Sequence, residues 1–172
     1  MPSLRISFLA AALVASLFAA ASAPAAEVSM AGGSVHFATP NGWMEILETD
    51  GDPEIRAFQV PDPSPTGHTL LARVTVTVQQ MPSPQGFASW VSEATAKAAA
   101  LPGYQPAKAS SPDSASYTAR ESGITATYRE MYWYHAGHAI QLRCLRPQQS
   151  QAGSAWSTAF DRGCEAIAAR LK

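Results

Sequence analysis

Apolar and polar positions alternate with a period of two over Leu70–Gln80, where Val74, Val76 and Val78 share one face and Arg73, Thr75 and Thr77 the other. This β-branched run is the clearest strand of the chain. Upstream, Val28 to Ala38 reads as short extended segments around Gly32-Gly33, and Glu54 to Val60 as a further strand. Pro40 and the Asn41-Gly42 pair predict a tight turn, after which Trp43, Ile46 and Leu47 read as an apolar anchor or strand. Thr49-Asp50-Gly51-Asp52-Pro53 is the next turn, and the three prolines and glycine of Pro61 to Gly67 make a loop.

The period then changes. Ser83-Pro84 predicts the start of a helix, with Ser83 as cap and proline in its first turn. Phe87, Trp90, Val91, Ala94, Ala98 and Leu101 fall on one helical stripe, and Pro102-Gly103 ends it. Tyr104 to Ser116, rich in Ser, Pro and Ala, is expected to hold a short strand and a loop. Tyr117 to Leu145 predicts three antiparallel strands, broken at Gly123 and at an Ala136-Gly137 tip. A two-residue tip sets His135 opposite His138, Trp133 opposite Ile140, Met131 opposite Leu142 and Arg129 opposite Cys144 on one face. The other face then carries Tyr128, Glu130, Tyr132 and Tyr134, with Gln141 and Arg143 across from them. A slip of one residue would exchange the two faces. The closing segment, Ser154 to Leu171, predicts a helix capped by Ser154, with Trp156, Phe160, Cys164, Ile167 and Leu171 on one stripe. The sum is an α+β fold: an antiparallel β-sheet with an N-terminal hairpin, packed by a middle helix and a C-terminal helix.

Composition changes this picture at the N-terminus. Arg5 precedes an alanine-rich apolar run from Ile6 to Ala21, and Ala23-Pro24-Ala25 has the small-x-small pattern of a signal-peptidase site. Residues 1–25 therefore read as a cleavable leader and 26–172 as one α+β domain, periplasmic or secreted. Without the leader the chain carries 11 basic and 13 acidic residues, a net charge of −2. Such a balance disfavours nucleic acid, whose phosphates call for a basic patch. No second apolar run reaches the roughly 20 residues of a bilayer span, so no stable membrane insertion is expected once the leader is gone. No cysteine at the leader's end is available for lipidation. Both cysteines, Cys144 and Cys164, belong to the exported part, where an even count favours a disulfide. The alternative is a pair of buried thiols. Because Cys164 lies on the apolar stripe of the last helix and Cys144 on an apolar sheet face, the two periodicities bring the sulfurs toward one layer.

The order of elements, with Val35-His36-Phe37-Ala38-Thr39-Pro40-Asn41-Gly42-Trp43, the Val74-Thr75-Val76-Thr77-Val78 strand and the Trp156/Phe160/Ile167/Leu171 helix, resembles the PsbP-like fold family and its small exported bacterial members. The resemblance implies an antiparallel sheet with helices on its faces. It carries over no catalytic residue, and it implies a role in binding or assisting other macromolecules.

Candidate chemistry is sparse. His135 and His138, opposed across a hairpin tip, are weak candidates for a metal pair lacking an assigned third ligand; a solvated tip is the simpler reading. Glu45, Glu48, Asp50, Asp52 and Glu54 crowd one segment, without the ligand spacing of a calcium loop. Asp50 and Asp52 at an acidic tip would attract a basic partner. Tyr132 and Tyr134, with Glu130 and Arg143, make a candidate protein interface if exposed. They are core if the Phe87/Trp90/Val91 helix covers them, and that helix needs a sheet face to cover. No Gly-x-Ser-x-Gly elbow, phosphate loop, His-Glu-x-x-His or paired Cys-x-x-Cys occurs. The expectation is a non-enzymatic protein, needing no cofactor, that binds another protein as an envelope accessory factor or as an inhibitor or immunity protein. The alternative is a small-ligand or metal-binding protein, and a hydrolase with scattered residues stands third.

Overall fold

The computed structural model of the protein describes residues 24–107, 111 and 113–172; the leader reading of residues 1–25 lies outside them as far as residue 23. Strands β1 (Glu27–Met30) and β2 (Val35–Ala38) form a two-stranded antiparallel sheet around the Gly32-Gly33 turn. Next come β3 (Met44–Thr49) and β4 (Glu54–Gln59), then a short helix α1 (Pro65–Thr69) and β5 (Arg73–Gln80). Helix α2 (Phe87–Ala99) and the two-residue β6 (Gln105–Pro106) follow. The meander of β7 (Ser114–Glu121), β8 (Ile124–His135) and β9 (His138–Pro147) leads to the closing helix α3 (Gly153–Ala168). Seven strands make one fully antiparallel sheet in the order β3-β4-β5-β9-β8-β7-β6. The α+β architecture expected from the periodicities is the one observed.

The meander keeps the expected register. His135 pairs with His138, Trp133 with Ile140 and Arg129 with Cys144. Ala136 and Gly137 both adopt positive φ (48° and 78°), the geometry of a two-residue hairpin turn whose twist matches its strands. Three local expectations are corrected. The Pro61–Gly67 stretch is not all loop: Pro65 starts α1, and a Cβ on Gly67 would sit 2.2 Å from the Asp62 carbonyl oxygen, so only glycine lets the chain fold back there. Ser83 does cap, accepting from the Gln85 amide at 3.4 Å, but what it caps is the 3₁₀ turn Pro84–Gly86 that leads into α2. Ser154 does not cap α3; the Ser150 hydroxyl accepts from the Ala152 amide at 3.0 Å, one turn earlier.

Each face of the large sheet buries a separate apolar layer. On one, Phe58, Val74, Val76, Val78, Met131, Ile140 and Leu142 pack with Phe160, Ile167 and Leu171 from the α3 end and with Met30, Val35 and Phe37 of the small hairpin. Phe37 meets Phe58 edge-on at 5.9 Å. The Cys144–Cys164 disulfide fastens α3 to β9 within this layer, with the two Cα atoms 6.3 Å apart. α3 also approaches closely at Gly163, where a Cβ would lie 2.5 Å from the Trp43 ring. The opposite face packs Tyr117, Ala119, Ala126, Tyr128 and Leu145 with Ala98, Leu101 and Tyr104 of the α2 region.

Candidate docking surface

The tyrosine row lies under α2. Trp90 meets Tyr132 edge-on at 5.8 Å, and Phe87 contacts Tyr134 at 6.2 Å. Glu130 and Tyr132 are 0% and 1% exposed, so as surface groups of an interface they are corrected: α2 needs an apolar face and takes this one. Tyr134 is half-buried, its hydroxyl donating to the Met81 carbonyl at 3.0 Å.

Glu130 is the hub of this layer. Its carboxylate accepts from the Tyr117 hydroxyl at 2.6 Å, the Tyr132 hydroxyl, Gln141 Nε2 at 2.9 Å and Arg143 Nε at 2.7 Å. A fully buried carboxylate is tolerable only when charge-assisted hydrogen bonds of this kind replace its hydration. Burial, reinforced by the bond to Glu130, pushes the Tyr117 and Tyr132 hydroxyls far above the ordinary phenol range. Burial disfavours the Arg143 charge, but the Glu130 carboxylate outweighs it and holds the guanidinium more firmly protonated. A second hub lies nearby: Arg73 grips Glu121 through two bonds of 2.7 and 3.1 Å, and Tyr128 donates to it at 2.9 Å. Those bonds, Arg73 first, lower the Glu121 carboxyl, while burial pushes Tyr128 up to about 12. Every group of both hubs is tied to a neighbour. This is a polar core, with the Tyr132 and Tyr134 rings packed against Trp90 and Phe87 of α2.

At the hairpin tip His135 and His138 oppose each other as expected. Among the described residues no group of three or more His, Cys, Asp or Glu side chains is arranged to hold a metal ion.

The acidic segment presents a different surface. Among the described residues β3 is an edge strand, bonded to β4 alone. All six of its residues are exposed, including Met44 (43%), Ile46 (44%) and Leu47 (46%). The expectation of an apolar anchor or strand divides between the residues: Trp43 is buried and stacks on Phe160 at 6.1 Å, whereas Ile46 and Leu47 form part of strand β3 and are exposed rather than core. A β-bulge between Glu45 and Leu47 makes Ile46 the extra residue. Register places Met44 and Leu47 opposite Gln59 and Ala57, and Glu45 and Glu48 opposite Phe58 and Arg56. One side of the edge is therefore apolar and the other acidic.

Arg56, itself buried, gathers the acids. Glu48, Glu54, Asp50 and Glu45 approach its guanidinium at 2.8, 3.2, 3.4 and 3.5 Å. Four carboxylates around one cation leave an excess of three negative charges, and Glu45, Glu48 and Asp50 remain well exposed. Asp52, also exposed, accepts from the Gln80 amide at 2.8 Å, so Asp52 and Asp50 have structural bonds as well as surface charge. Beside the start of β3, Trp43, Met44, Val60, Trp156 and Phe160 line an open groove of about 540 Å³. The sequence reading missed Met44 and the role of Arg56. The signal for the first was present: Met-Glu-Ile-Leu-Glu breaks period two at Ile46-Leu47, as a bulged edge does.

These features define an antiparallel α+β protein with a polar core and, among the described residues, a bulged and acidic sheet edge that exposes apolar side chains. No protein-family model and no curated protein matches the sequence. Among solved structures, the chain shares its fold with LpqN, a protein involved in cell envelope biogenesis of Mycobacterium tuberculosis: TM-score 0.55, 12% identity, 83% of this chain and 86% of LpqN covered. A Bacteroides thetaiotaomicron structure aligns more weakly, with TM-score 0.43, 12% identity, and 76% of this chain and 44% of that one covered. Among the described residues no helix is long and apolar enough to cross a membrane.

Proposed function

We propose that the protein is an exported, non-enzymatic accessory factor of the cell envelope that acts by binding another protein. The observation that carries this reading is the row of Met44, Ile46 and Leu47, three large apolar side chains held in solvent on a free sheet edge. Large exposed apolar side chains gathered in one short edge strand of a folded domain point to a place where another molecule sits. The disulfide supports export, since such bonds persist in oxidising compartments, and the leader-like N-terminus points the same way. The envelope role reported for LpqN and the binding roles implied by the PsbP-like resemblance support the choice of partner class. The experiment is affinity capture of the oxidised protein from its own envelope, compared with the Met44→Ser/Leu47→Ser variant. A stoichiometric protein partner lost in the variant supports the reading; a partner held equally by both forms refutes the assigned surface.

One observation favours a second reading. The aromatic groove beside β3 could take a small apolar ligand, which would quench the emission of Trp43 and Trp156 in titrations without any protein partner.

A further inference from the structure

We propose that the β3 edge captures an extended segment of its partner as an eighth strand of the sheet, and that this segment alternates apolar and basic residues. The inference rests on the binding reading above and specifies its chemistry. The two edges of the sheet are unlike. The β6 edge is two residues long and ends in Pro106, which has no amide proton to donate, and this blunts it against further pairing. The β3 edge is six residues long with no proline, and its apolar side chains are exposed. A strand laid on it extends about 20 Å along the edge and gains main-chain hydrogen bonds, as in other β-augmentation complexes.

Side-chain register then dictates the partner. Met44 and Leu47 lie on one side of β3, and Glu45 and Glu48 on the other. Cross-strand neighbours on an added strand must match: apolar beside Met44 and Leu47, basic beside Glu45 and Glu48. The same charges exclude a second copy of this chain, because pairing two β3 edges would bring together two clusters that each carry three excess negative charges. The buried Arg56 offsets one of the four carboxylate charges, and the exposed Glu45, Glu48 and Asp50 carry the excess that attracts cations. Attraction by this cluster would also speed encounter and weaken with salt.

The test uses the whole oxidised protein and three synthetic twelve-residue probes: alternating valine and lysine, the same composition arranged in two blocks, and alternating valine and glutamate. Binding is read by fluorescence anisotropy, and the docking site by hydrogen exchange of the β3 amides. The expected result is binding of the valine–lysine alternation, protection of amides within Met44–Thr49, and affinity at least about tenfold lower for the block peptide. Glu45→Lys/Glu48→Lys should weaken that binding and favour the valine–glutamate peptide. Because Glu45 and Glu48 also pair with the buried Arg56, charge reversal there costs stability, so the fold of this variant is checked by circular dichroism; Met44→Ser/Leu47→Ser, which leaves the ion-pair cluster intact, gives an independent check. Equal binding of alternating and block peptides, or binding without protection of β3, overturns the strand-addition proposal. A partner captured through Met44 and Leu47 alongside such a failure would leave the binding reading intact, whereas loss of both would remove it.

Discussion

Replacing Glu130 with leucine tests whether the tyrosine face is core or surface. The substitution keeps roughly the side-chain volume and removes the acceptor of four hydrogen bonds: two from the buried hydroxyls of Tyr117 and Tyr132, one from Gln141 and one from Arg143. The Arg143 side chain is 40% exposed and can turn back to water, so its loss is discounted. The two hydroxyls cannot, and each buried orphan costs about 1–3 kcal/mol. Against this, leucine needs no ionic desolvation. The net expectation is about 3–5 kcal/mol of destabilisation, the scale of breaking a buried pair from one side. At about 2–4 °C per kcal/mol for a domain of this size, melting should fall on the order of 10 °C. Urea unfolding followed by circular dichroism measures it, with an unchanged denaturant slope confirming that both end states are preserved. The triple variant Glu130→Leu/Tyr117→Phe/Tyr132→Phe removes the orphans together with their acceptor and should recover much of the loss. Destabilisation below about 1 kcal/mol, or a triple variant no more stable than the single one, would refute the polar-core argument. Partner binding should survive Glu130→Leu in the folded fraction.

Three further outcomes follow from the same geometry. Reducing the Cys144–Cys164 bond, or changing both residues to serine, should lower stability by about 2–4 kcal/mol while leaving folded protein able to bind through β3, because the bridge joins α3 to β9 and neither cysteine lies on β3. At high pH the core tyrosines should unfold the protein. Tyr117, Tyr128 and Tyr132 have folded pKa values raised above the unfolded value, so their stabilisation is complete below about pH 10 and is lost as pH climbs through the folded values. Tyrosinate absorbance should therefore appear together with loss of circular dichroism, and ionisation of all three without unfolding would contradict this. Gly163→Ala should cost about 1–3 kcal/mol in chemical denaturation, since the new methyl group meets the Trp43 ring at 2.5 Å and the Pro40 ring at 3.0 Å.

The parts of the fold that were readable in advance are those set by local rules. The period-two run at Val74–Val78, the Ala136-Gly137 tip and the α3 stripe each depend on a few neighbouring residues, and together they placed Cys144 and Cys164 in one layer. What local pattern could not supply was which elements cover which face. Tyr132 and Glu130 are equally compatible with an interface and with a core until α2 is seen to lie over them. The α1 turn was hidden by its own composition: Pro-Thr-Gly reads as loop, and it is helical because Ser64, Asp62 and Ser150 tie the entry to the loop before α3. In that tie, burial acts to raise the Asp62 carboxyl, but the Ser150 and Ser64 hydroxyls outweigh it and hold it ionised.

The exposure of the apolar residues of β3 has the most consequence for function. Apolar residues flanked by turns are ordinarily taken as core, because burying each large side chain yields about 1.5–3 kcal/mol. Here the two larger demands on β3 conflict. Its acids must stay near Arg56, which lies on the sheet face toward the small hairpin, and that fixes Glu45 and Glu48 on that face of the edge. The bulge at Ile46 keeps both acids on that side while turning Met44 and Leu47 to the other, where neither α2 nor α3 supplies a covering layer. The intramolecular fold thus satisfies the charges of this strand and leaves its apolar positions unused. A strand whose apolar side is complete only when a second chain lies beside it is best understood as half of an interface, and the missing half must carry the complementary alternation.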